Sequence, residues 1–149
     1  AYGEAPDLDE VIIDGYFDED IWQNKKWYTN YHVSNPNFKF SVTAHLSQGG
    51  LYIAAQSDDS YLFWNGRNYF FYNTYMQFLI AGSNLNLRVD VNNTPPTNMT
   101  VNVRSRYEGT LNQFGGGEGF FVEAYISWEQ LGFDENQKEQ LRELLSAGL

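Results

Sequence analysis

Apolar and polar residues alternate with period two along several segments of this chain, and this pattern limits the fold more than any other feature. The longest such region covers residues 41–80, and a second region covers residues 119–128. Because successive side chains of a β-strand point to opposite faces, each alternating segment places one face in a core and the other face outside. The chain is therefore predicted to be an all-β protein, an antiparallel β-sandwich.

Breaks in the alternation define the predicted elements. Strands are predicted over residues 11–13, 38–46, 51–56, 69–80, 85–92, 99–103 and 120–128, and an aromatic strand or loop over residues 27–31. Turns are predicted at residues 14–15, 35–37, 48–50, 82–84, 95–96 and 115–119. Asp18 is predicted to cap one helical turn that buries Trp22. From Asp134 the spacing of the leucines becomes helical, so the segment 134–149 is predicted to carry a short C-terminal α-helix over residues 136–147.

Length and composition favour one extracellular domain. The chain has 149 residues, which suits a single domain over residues 1–149 that begins with an extended acidic arm, residues 1–10. A net charge of −10 with only 9 Lys and Arg argues against a nucleic-acid partner. The absence of cysteine removes thiolate and Cys-based zinc chemistry, and no apolar run approaches the roughly 20 residues of a membrane span. A start at Ala1 without an apolar leader is expected of a secreted or cell-surface protein whose signal peptide has been removed, and equally of an excised domain; the first of these is the prediction.

Three motifs of the chain resemble those of family 9 carbohydrate-binding modules and their DOMON-like relatives. The first is Ile13–Trp22, which reads IDGYFDEDIW and is similar to the opening segment of that family. The second is the strand Leu51–Ile53 with Asp59 after it, and the third is Val122–Gly132, which reads VEAYISWEQLG. The resemblance covers most of residues 11–133 in the order of the family. It implies a jelly-roll β-sandwich, calcium as a structural ion, and a sugar held in an aromatic clamp.

The same resemblance assigns roles to single residues. The first aromatic residue of the clamp falls near Phe71, a carboxylate of the family aligns with Gln77, and a sugar-binding arginine aligns with Arg88. Members of the family continue after the third motif with two or three more strands, which carry the second aromatic residue of the clamp. This chain continues with the predicted helix instead, so either the sheet is smaller or another chain supplies those strands.

The residues themselves suggest a binding surface for a sugar. A sugar needs a flat apolar group against its C–H bonds and fixed polar groups for its hydroxyls. Candidates for the apolar group are Trp27, Trp64, Tyr69 and Phe71, and candidates for the polar groups are Asn73, Gln77, Arg88 and Asp90. Each aromatic residue has core packing as its alternative role. For Arg88 the alternative is an ion pair with an acidic neighbour in the sheet.

Acidic residues suggest a calcium site. Calcium takes oxygen ligands from carboxylates, amides and carbonyls, and the candidates are Asp14, Asp18, Asp20, Asp58 and Asp59. Asp59 is favoured, with Asp14 as the second ligand, because the resemblance places Asp59 at a loop that the family keeps. The pair Asp18 and Asp20 lacks the spacing of an EF-hand loop, so capping and solvation are expected of both. Apart from this possible structural Ca²⁺, no cofactor is predicted.

Catalytic signatures are missing from the sequence, so the chain is not predicted to be an enzyme. Neither histidine lies in a metalloprotease motif, and His45 is expected to point outward from a strand. Glu123 is expected to make a structural contact within the sheet.

Two functions of different classes remain. The first is a non-catalytic carbohydrate-binding domain, whose partner is a sugar. The second is a self-assembling structural subunit of an extracellular filament or surface layer, whose partners are copies of itself. In that hypothesis, residues 1–10 of one subunit complete the sandwich of its neighbour by strand addition.

Overall fold

The computed structural model of the protein describes residues 12–23, 25–32, 35–67, 72–92 and 101–147. Its strands are β1 (Tyr28–His32), β2 (Asn35–Leu46), β3 (Gly50–Ser57), β4 (Tyr75–Leu79), β5 (Asn86–Asp90), β6 (Asn102–Gly109) and β7 (Gly117–Ser127). Two helices follow β7, α1 (Trp128–Leu131) and α2 (Glu135–Ala147), and a 3-10 turn, Asp20–Trp22, precedes β1. The predicted N-terminal arm and the predicted turn at residues 95–96 lie outside the described residues.

Two antiparallel sheets face each other across an apolar core, which confirms the predicted all-β sandwich with a short C-terminal helix. The larger sheet has the strand order β1-β2-β3-β7-β6, and the smaller sheet consists of β4 and β5. One buried cluster joins Leu51 and Val122 of the larger sheet to Phe78 and Leu87 of the smaller one. Leu145 of α2 belongs to the same cluster, so the helix covers part of the core that the small sheet leaves open.

Both faces of the larger sheet are covered, and β3 shows this most clearly. Leu51 and Ile53 belong to the core between the sheets, whereas Tyr52 and Ala54 pack on the opposite face against the N-terminal segment, residues 12–23. That segment contributes three buried side chains, Ile13, Ile21 and Trp22. A strand buried on both faces reads as a continuous apolar run, which explains the sequence LYIAA in β3.

Side-chain caps set the boundaries of the two helices. At α1, the Ser127 hydroxyl accepts from Gln130 N and the Gln130 side chain accepts from Ser127 N, and the helix ends at Gly132 with a φ of +74°. At α2, Asp134 Oδ1 accepts from Gln137 N at 2.9 Å, while Gln137 Oε1 accepts from Asp134 N at 3.0 Å. The helix start predicted from Asp134 is therefore confirmed.

The strand predicted over residues 69–80 is shorter than expected. Strand β4 begins at Tyr75, and the chain turns at residues 72–73. Asn73 is almost fully buried, and its side-chain amide donates to the Arg67 carbonyl at 2.8 Å. The side chain of Asn73 thus holds a loop in place, a tertiary role that the alternation of aromatic residues does not reveal.

Three other local predictions are wrong. Residues 35–37 begin β2 instead of forming a turn, because the β1–β2 ladder extends to the pair His32 and Asn35. Residues 12–13 are not in a strand, since the backbone beyond them turns toward a buried carboxylate of the large sheet. The 3-10 turn has Glu19 at its N-cap position and no side-chain cap, so Asp18 does not cap it.

His45 lies on the predicted face of β2, but the N-terminal part of the chain screens it from water. Both of its ring nitrogens are buried, and the ring centroid lies 6.1 Å from that of Tyr52. Burial, with a smaller contribution from the positive charge of Lys25, lowers the pKa of His45 to about 4. His45 therefore points outward from β2 as predicted, but it is screened from water, and the ring is neutral at physiological pH.

No helix among the described residues is both long enough and apolar enough to cross a bilayer.

Candidate functional site

The small sheet presents a polar and aromatic surface on the side away from the core. Along β4 exposed and buried residues alternate, so Tyr75 and Gln77 point outward while Met76 and Phe78 enter the core. The outward face of β5 carries Asn86 and Arg88. We call the surface formed by Tyr75, Gln77, Asn86 and Arg88 the β4–β5 face.

Strand register brings the two predicted polar ligands together. Gln77 of β4 and Arg88 of β5 are direct cross-strand partners, and Gln77 Nε2 donates to Asn86 Oδ1 at 2.7 Å. Directly opposite side chains of an antiparallel pair lie about 5 Å apart at Cβ, close enough to contact one ligand. Two residues that lie eleven positions apart in the sequence, and that the resemblance assigns to sugar binding, are thus neighbours on one surface.

Arg88 is held in place by two contacts. Its guanidinium carbon lies 3.8 Å from the centroid of the Tyr75 ring, and its Nε donates to Asp90 Oδ1 at 3.2 Å. The ion pair that was the alternative role for Arg88 is therefore present, and it helps to hold the guanidinium over the Tyr75 ring. A planar cation held in this way loses little side-chain entropy when a ligand binds.

A buried hydrogen-bond network attaches a loop to one end of the β4–β5 face. Asp90, which is 1% exposed, accepts from Asn73 Nδ2 at 3.4 Å. Asn73 in turn accepts from Asn65 N at 3.1 Å and donates to the carbonyl of Arg67. The network runs from the loop that contains residues 65–67 through Asn73 and Asp90 to Arg88.

The predicted aromatic ligands are placed as follows. Trp64 lies in the same loop, and its side chain is half-buried against the main core. The Trp64 backbone is clamped by Asn112, which accepts from Trp64 N at 2.8 Å and donates to Trp64 O at 2.9 Å. Tyr69 and Phe71 lie outside the described residues. Sequence reasoning missed Tyr75 and Asn86, although the alternation in β4 and β5 had already placed both on the outward face.

A second polar centre lies on the opposite side of the large sheet, around Glu123 of β7. Its Oε1 accepts from the backbone N of Asp14 and of Gly15, both at 3.0 Å, and its Oε2 accepts from Trp22 Nε1 at 2.8 Å. Gly15 has a φ of +83°, a conformation that favours glycine, and this turn aims both N–H groups at the carboxylate. Glu123 therefore binds the first of the three motifs to the third.

The predicted structural role of Glu123 is thus present, but its contacts are with the N-terminal segment and not within the sheet. An Asp-Gly turn followed by a tryptophan in one motif, with a lone acid among apolar residues in the other, is the signal that would have identified this contact. Glu123 is fully buried, and burial raises its pKa to about 7.

Three carboxylates meet at this centre. One carboxylate oxygen from each of Asp14, Glu19 and Glu123 lies within 4.8 Å of the other two, and we call these three residues the carboxylate triplet. Glu19 Oε1 is buried without a hydrogen-bond partner. The pKa of Glu19 is raised, mainly by burial and to a smaller extent by the negative charges of Asp14 and Asp18. Clustered oxygen ligands of this kind suit a hard cation such as Ca²⁺, so the donor set fits the ion that the resemblance implies.

Of the two predicted metal ligands, Asp14 belongs to the carboxylate triplet and Asp59 does not. Asp59 follows β3, where its Oδ1 accepts from Tyr61 N at 3.0 Å and so stabilises a turn. Within the described parts of the chain, Asp59 belongs to no cluster of three metal-ligating side chains.

Comparisons with protein-family models, with curated proteins and with solved structures give no match to this chain. The resemblance to family 9 carbohydrate-binding modules therefore remains a prediction from the three motifs.

Proposed function

We propose that this chain is a non-catalytic carbohydrate-binding domain that holds its ligand on the β4–β5 face. The observation that carries the proposal is the arrangement of Tyr75, Arg88 and Gln77. An exposed aromatic ring, a fixed guanidinium and a side-chain amide lie on one surface of two paired strands. Aromatic rings contact the C–H groups of sugars, and planar polar side chains bond to their hydroxyls.

The charge of the protein favours a neutral glycan as the ligand. A net charge of −10 repels polyanionic sugars, and the positive charge of Arg88 is already compensated by Asp90. The guanidinium then acts as a donor of directed hydrogen bonds to neutral hydroxyls. Such a face is shallow, so we expect affinities in the micromolar to millimolar range, where about 4 to 8 kcal/mol of binding free energy is available.

Catalysis is not proposed, because the clustered acids are arranged for structure. A glycosidase places two carboxyl groups about 5 to 10 Å apart across an open cleft. In the carboxylate triplet the oxygens are closer than that, Glu123 is fully buried, and backbone N–H groups bind it. A sugar would have no access to this acid.

The carboxylate triplet is proposed as the site of a structural calcium ion. Asp14, Glu19 and Glu123 would hold the ion, which would neutralise part of their charge and stabilise the N-terminal segment on the large sheet. We also propose that the protein acts outside the cell, where polymeric glycans and millimolar calcium are present. Fractionation of the source cells with an antibody against the protein tests this location.

A pair of matched alanine variants tests the sugar-binding face. Arg106 lies 3.9 Å from the Tyr16 ring on the far side of the large sheet, an arrangement equivalent to Arg88 over Tyr75. Calorimetry and affinity gels with neutral gluco-, xylo-, manno- and galacto-oligosaccharides should show binding by wild type and by Tyr16→Ala. Tyr75→Ala should bind at least about tenfold more weakly, which corresponds to about 1.4 kcal/mol.

Equal binding by the two variants would overturn the assignment of the β4–β5 face. Failure of the wild type to bind every glycan of the panel, soluble and insoluble, would overturn the function itself.

A further inference from the structure

An open groove lies between the small sheet and helix α2. Its volume is about 490 Å³. The floor is the inner face of β2 and β3, one wall is the edge of β4 with the following turn, and the other wall is α2. We call it the α2 groove, and the side chains that define it are Phe40, Val42 and Ile53 on the floor, Leu79 on the first wall, and Leu141 and Leu144 on the second.

The wall formed by β4 is the edge of a sheet. Val91 N donates to the Thr74 carbonyl at 2.8 Å, which makes this a hydrogen-bonded pair of the antiparallel ladder with β5. Since such pairs alternate, the backbone N–H and C=O groups of Tyr75, Gln77 and Leu79 point away from β5. No other strand of the described residues pairs with this edge.

The walls of the groove expose large apolar side chains, which a further strand on the edge of β4 would cover. Leu79 is 73% exposed and Leu144 is 46% exposed, one on each wall. An apolar groove beside an unpaired strand edge is the arrangement that accepts an extended peptide, because the edge supplies main-chain hydrogen bonds and the floor supplies side-chain contacts. An acyl chain would use the floor and leave the backbone groups of the edge without partners.

Residues 1–11 of the chain have the length and the pattern of such a peptide. Eleven residues reach about 36 Å when extended, about twice the length of a five-residue strand such as β4. Placed antiparallel to β4 with Asp7 opposite Gln77, the segment turns Pro6 and Leu8 toward the floor and Asp7 and Asp9 toward solvent. In this register the backbone nitrogen of Pro6, which carries no hydrogen, points away from β4 and loses no bond.

The place where this segment joins the rest of the chain, next to Ile13, indicates which copy of the groove the segment reaches. Ile13 packs with Tyr52 and Ala54, on the outer face of the large sheet, whereas Leu51 and Ile53 of the same strand face the groove. The large sheet therefore separates the end of the arm from the groove of its own chain. The groove of a neighbouring copy is not subject to that obstruction.

We propose that the α2 groove binds the N-terminal segment, residues 1–11, of a second copy of this chain as an added strand on β4. The contact is heterologous, since it joins the arm of one copy to the groove of the next. Repetition of such a contact produces a ring if its rotation closes and a filament if it does not. The inference adds a self-assembly site to the sugar-binding face and does not depend on it.

Single cysteines test the contact directly, because the native chain contains none. A size-tagged Leu8→Cys variant is mixed with untagged Leu144→Cys and treated with a short bis-maleimide. A mixed covalent dimer is expected from this pair. Phe114→Cys replaces Leu144→Cys as the control, since Phe114 is 87% exposed and does not line the groove.

Two results would overturn the proposal. One is a yield of mixed dimer no greater than with Phe114→Cys. The other is an intramolecular cross-link in the Leu8→Cys/Leu144→Cys double variant without any mixed dimer, which would show that each arm fills its own groove.

Light scattering provides a second measurement that does not rely on cross-linking. The wild-type chain is expected to form oligomers whose mass rises with concentration. The change Leu144→Asp should return the protein to a monomer of about 17.2 kDa, and removal of residues 1–11 should give the correspondingly lighter monomer. Phe114→Asp is the matched control and should assemble like the wild type. A wild type that stays monomeric at all concentrations contradicts the proposal.

Discussion

Replacement of Glu123 by Gln is expected to change how the stability of the protein depends on pH. Glu123 is fully buried, and burial raises its pKa from the ordinary value of 4.5 to about 7. Since the pKa is higher in the folded state, the folded protein binds more protons than the unfolded chain between these values. The contribution of Glu123 to stability is thus complete below pH 4.5 and is lost as the pH rises through 7.

The size of the effect follows from the two pKa values. The interval between 4.5 and about 7 corresponds to at most about 3 kcal/mol of unfolding free energy. A Gln side chain keeps the shape of the protonated acid and does not titrate. The difference in unfolding free energy between wild type and Glu123→Gln should therefore shift by about 3 kcal/mol toward the variant between pH 4.5 and pH 8.

Urea unfolding in calcium-free buffer measures this difference. Tryptophan fluorescence is a suitable signal, because Trp22 donates to Glu123 in the folded state. Glu118→Gln is the matched control, since Glu118 lies on the same strand and is exposed. The reasoning is refuted if the free-energy difference between wild type and Glu123→Gln stays constant across this pH range while the protein remains two-state.

Three further predictions concern the carboxylate triplet, the turn at Gly15 and the cap of helix α1. Calcium should raise the Tm by several degrees at pH 8 but not at pH 4.5. The variant Asp14→Asn should show a smaller gain in Tm, whereas the variant Asp18→Asn, at an exposed residue, should keep the full gain. Equal gains in the two variants would exclude the carboxylate triplet as the calcium site. Gly15→Ala should lower the free energy of unfolding by about 1 kcal/mol more than Gly66→Ala, as measured with urea. Both glycines have a positive φ, but only a Cβ at residue 15 would contact a neighbouring side chain, at 3.0 Å. Equal losses in the two variants would contradict this packing. Ser127→Ala should lower the unfolding free energy by about 1 kcal/mol through loss of the α1 cap, and an unchanged midpoint would count against it.

Much of the fold can be predicted from this sequence, because period-two alternation decides which face of a strand is buried. β3 was predicted nearly in full, and the Asp134 cap located α2 to within one residue. The prediction was less complete for β7, which begins three residues earlier than predicted and ends before Trp128, and for β6, which extends six residues beyond residue 103. Prediction failed where a tertiary contact decided the local structure. The side chain of Asn73 holds a loop where the run of aromatic residues predicts a strand. Strand β2 includes Pro36, where the sequence predicts a turn, because Asn35 pairs with His32 of β1.

The candidate sites were harder to predict from the sequence than the fold. The pairing of Gln77 with Arg88 depends on the register of two strands, which the alternation limits but does not fix. The carboxylate triplet joins Asp14 and Glu19 to a residue more than 100 positions away, and the Asp-Gly turn and the lone acid indicate this contact only when the two motifs are considered together. The α2 groove exists because α2 and not another strand covers the sheet beside β4, which is a property of the assembled sandwich.

The central claim is that the β4–β5 face binds a neutral glycan, and an NMR titration of the side-chain N–H signals tests it most directly. The Nε–H of Arg88 and the amides of Gln77 and Asn86 should shift as the oligosaccharide is added, while the Nε–H of Arg106 should not. Shifts confined to groups outside the β4–β5 face, or no shifts at saturating sugar, would contradict the account.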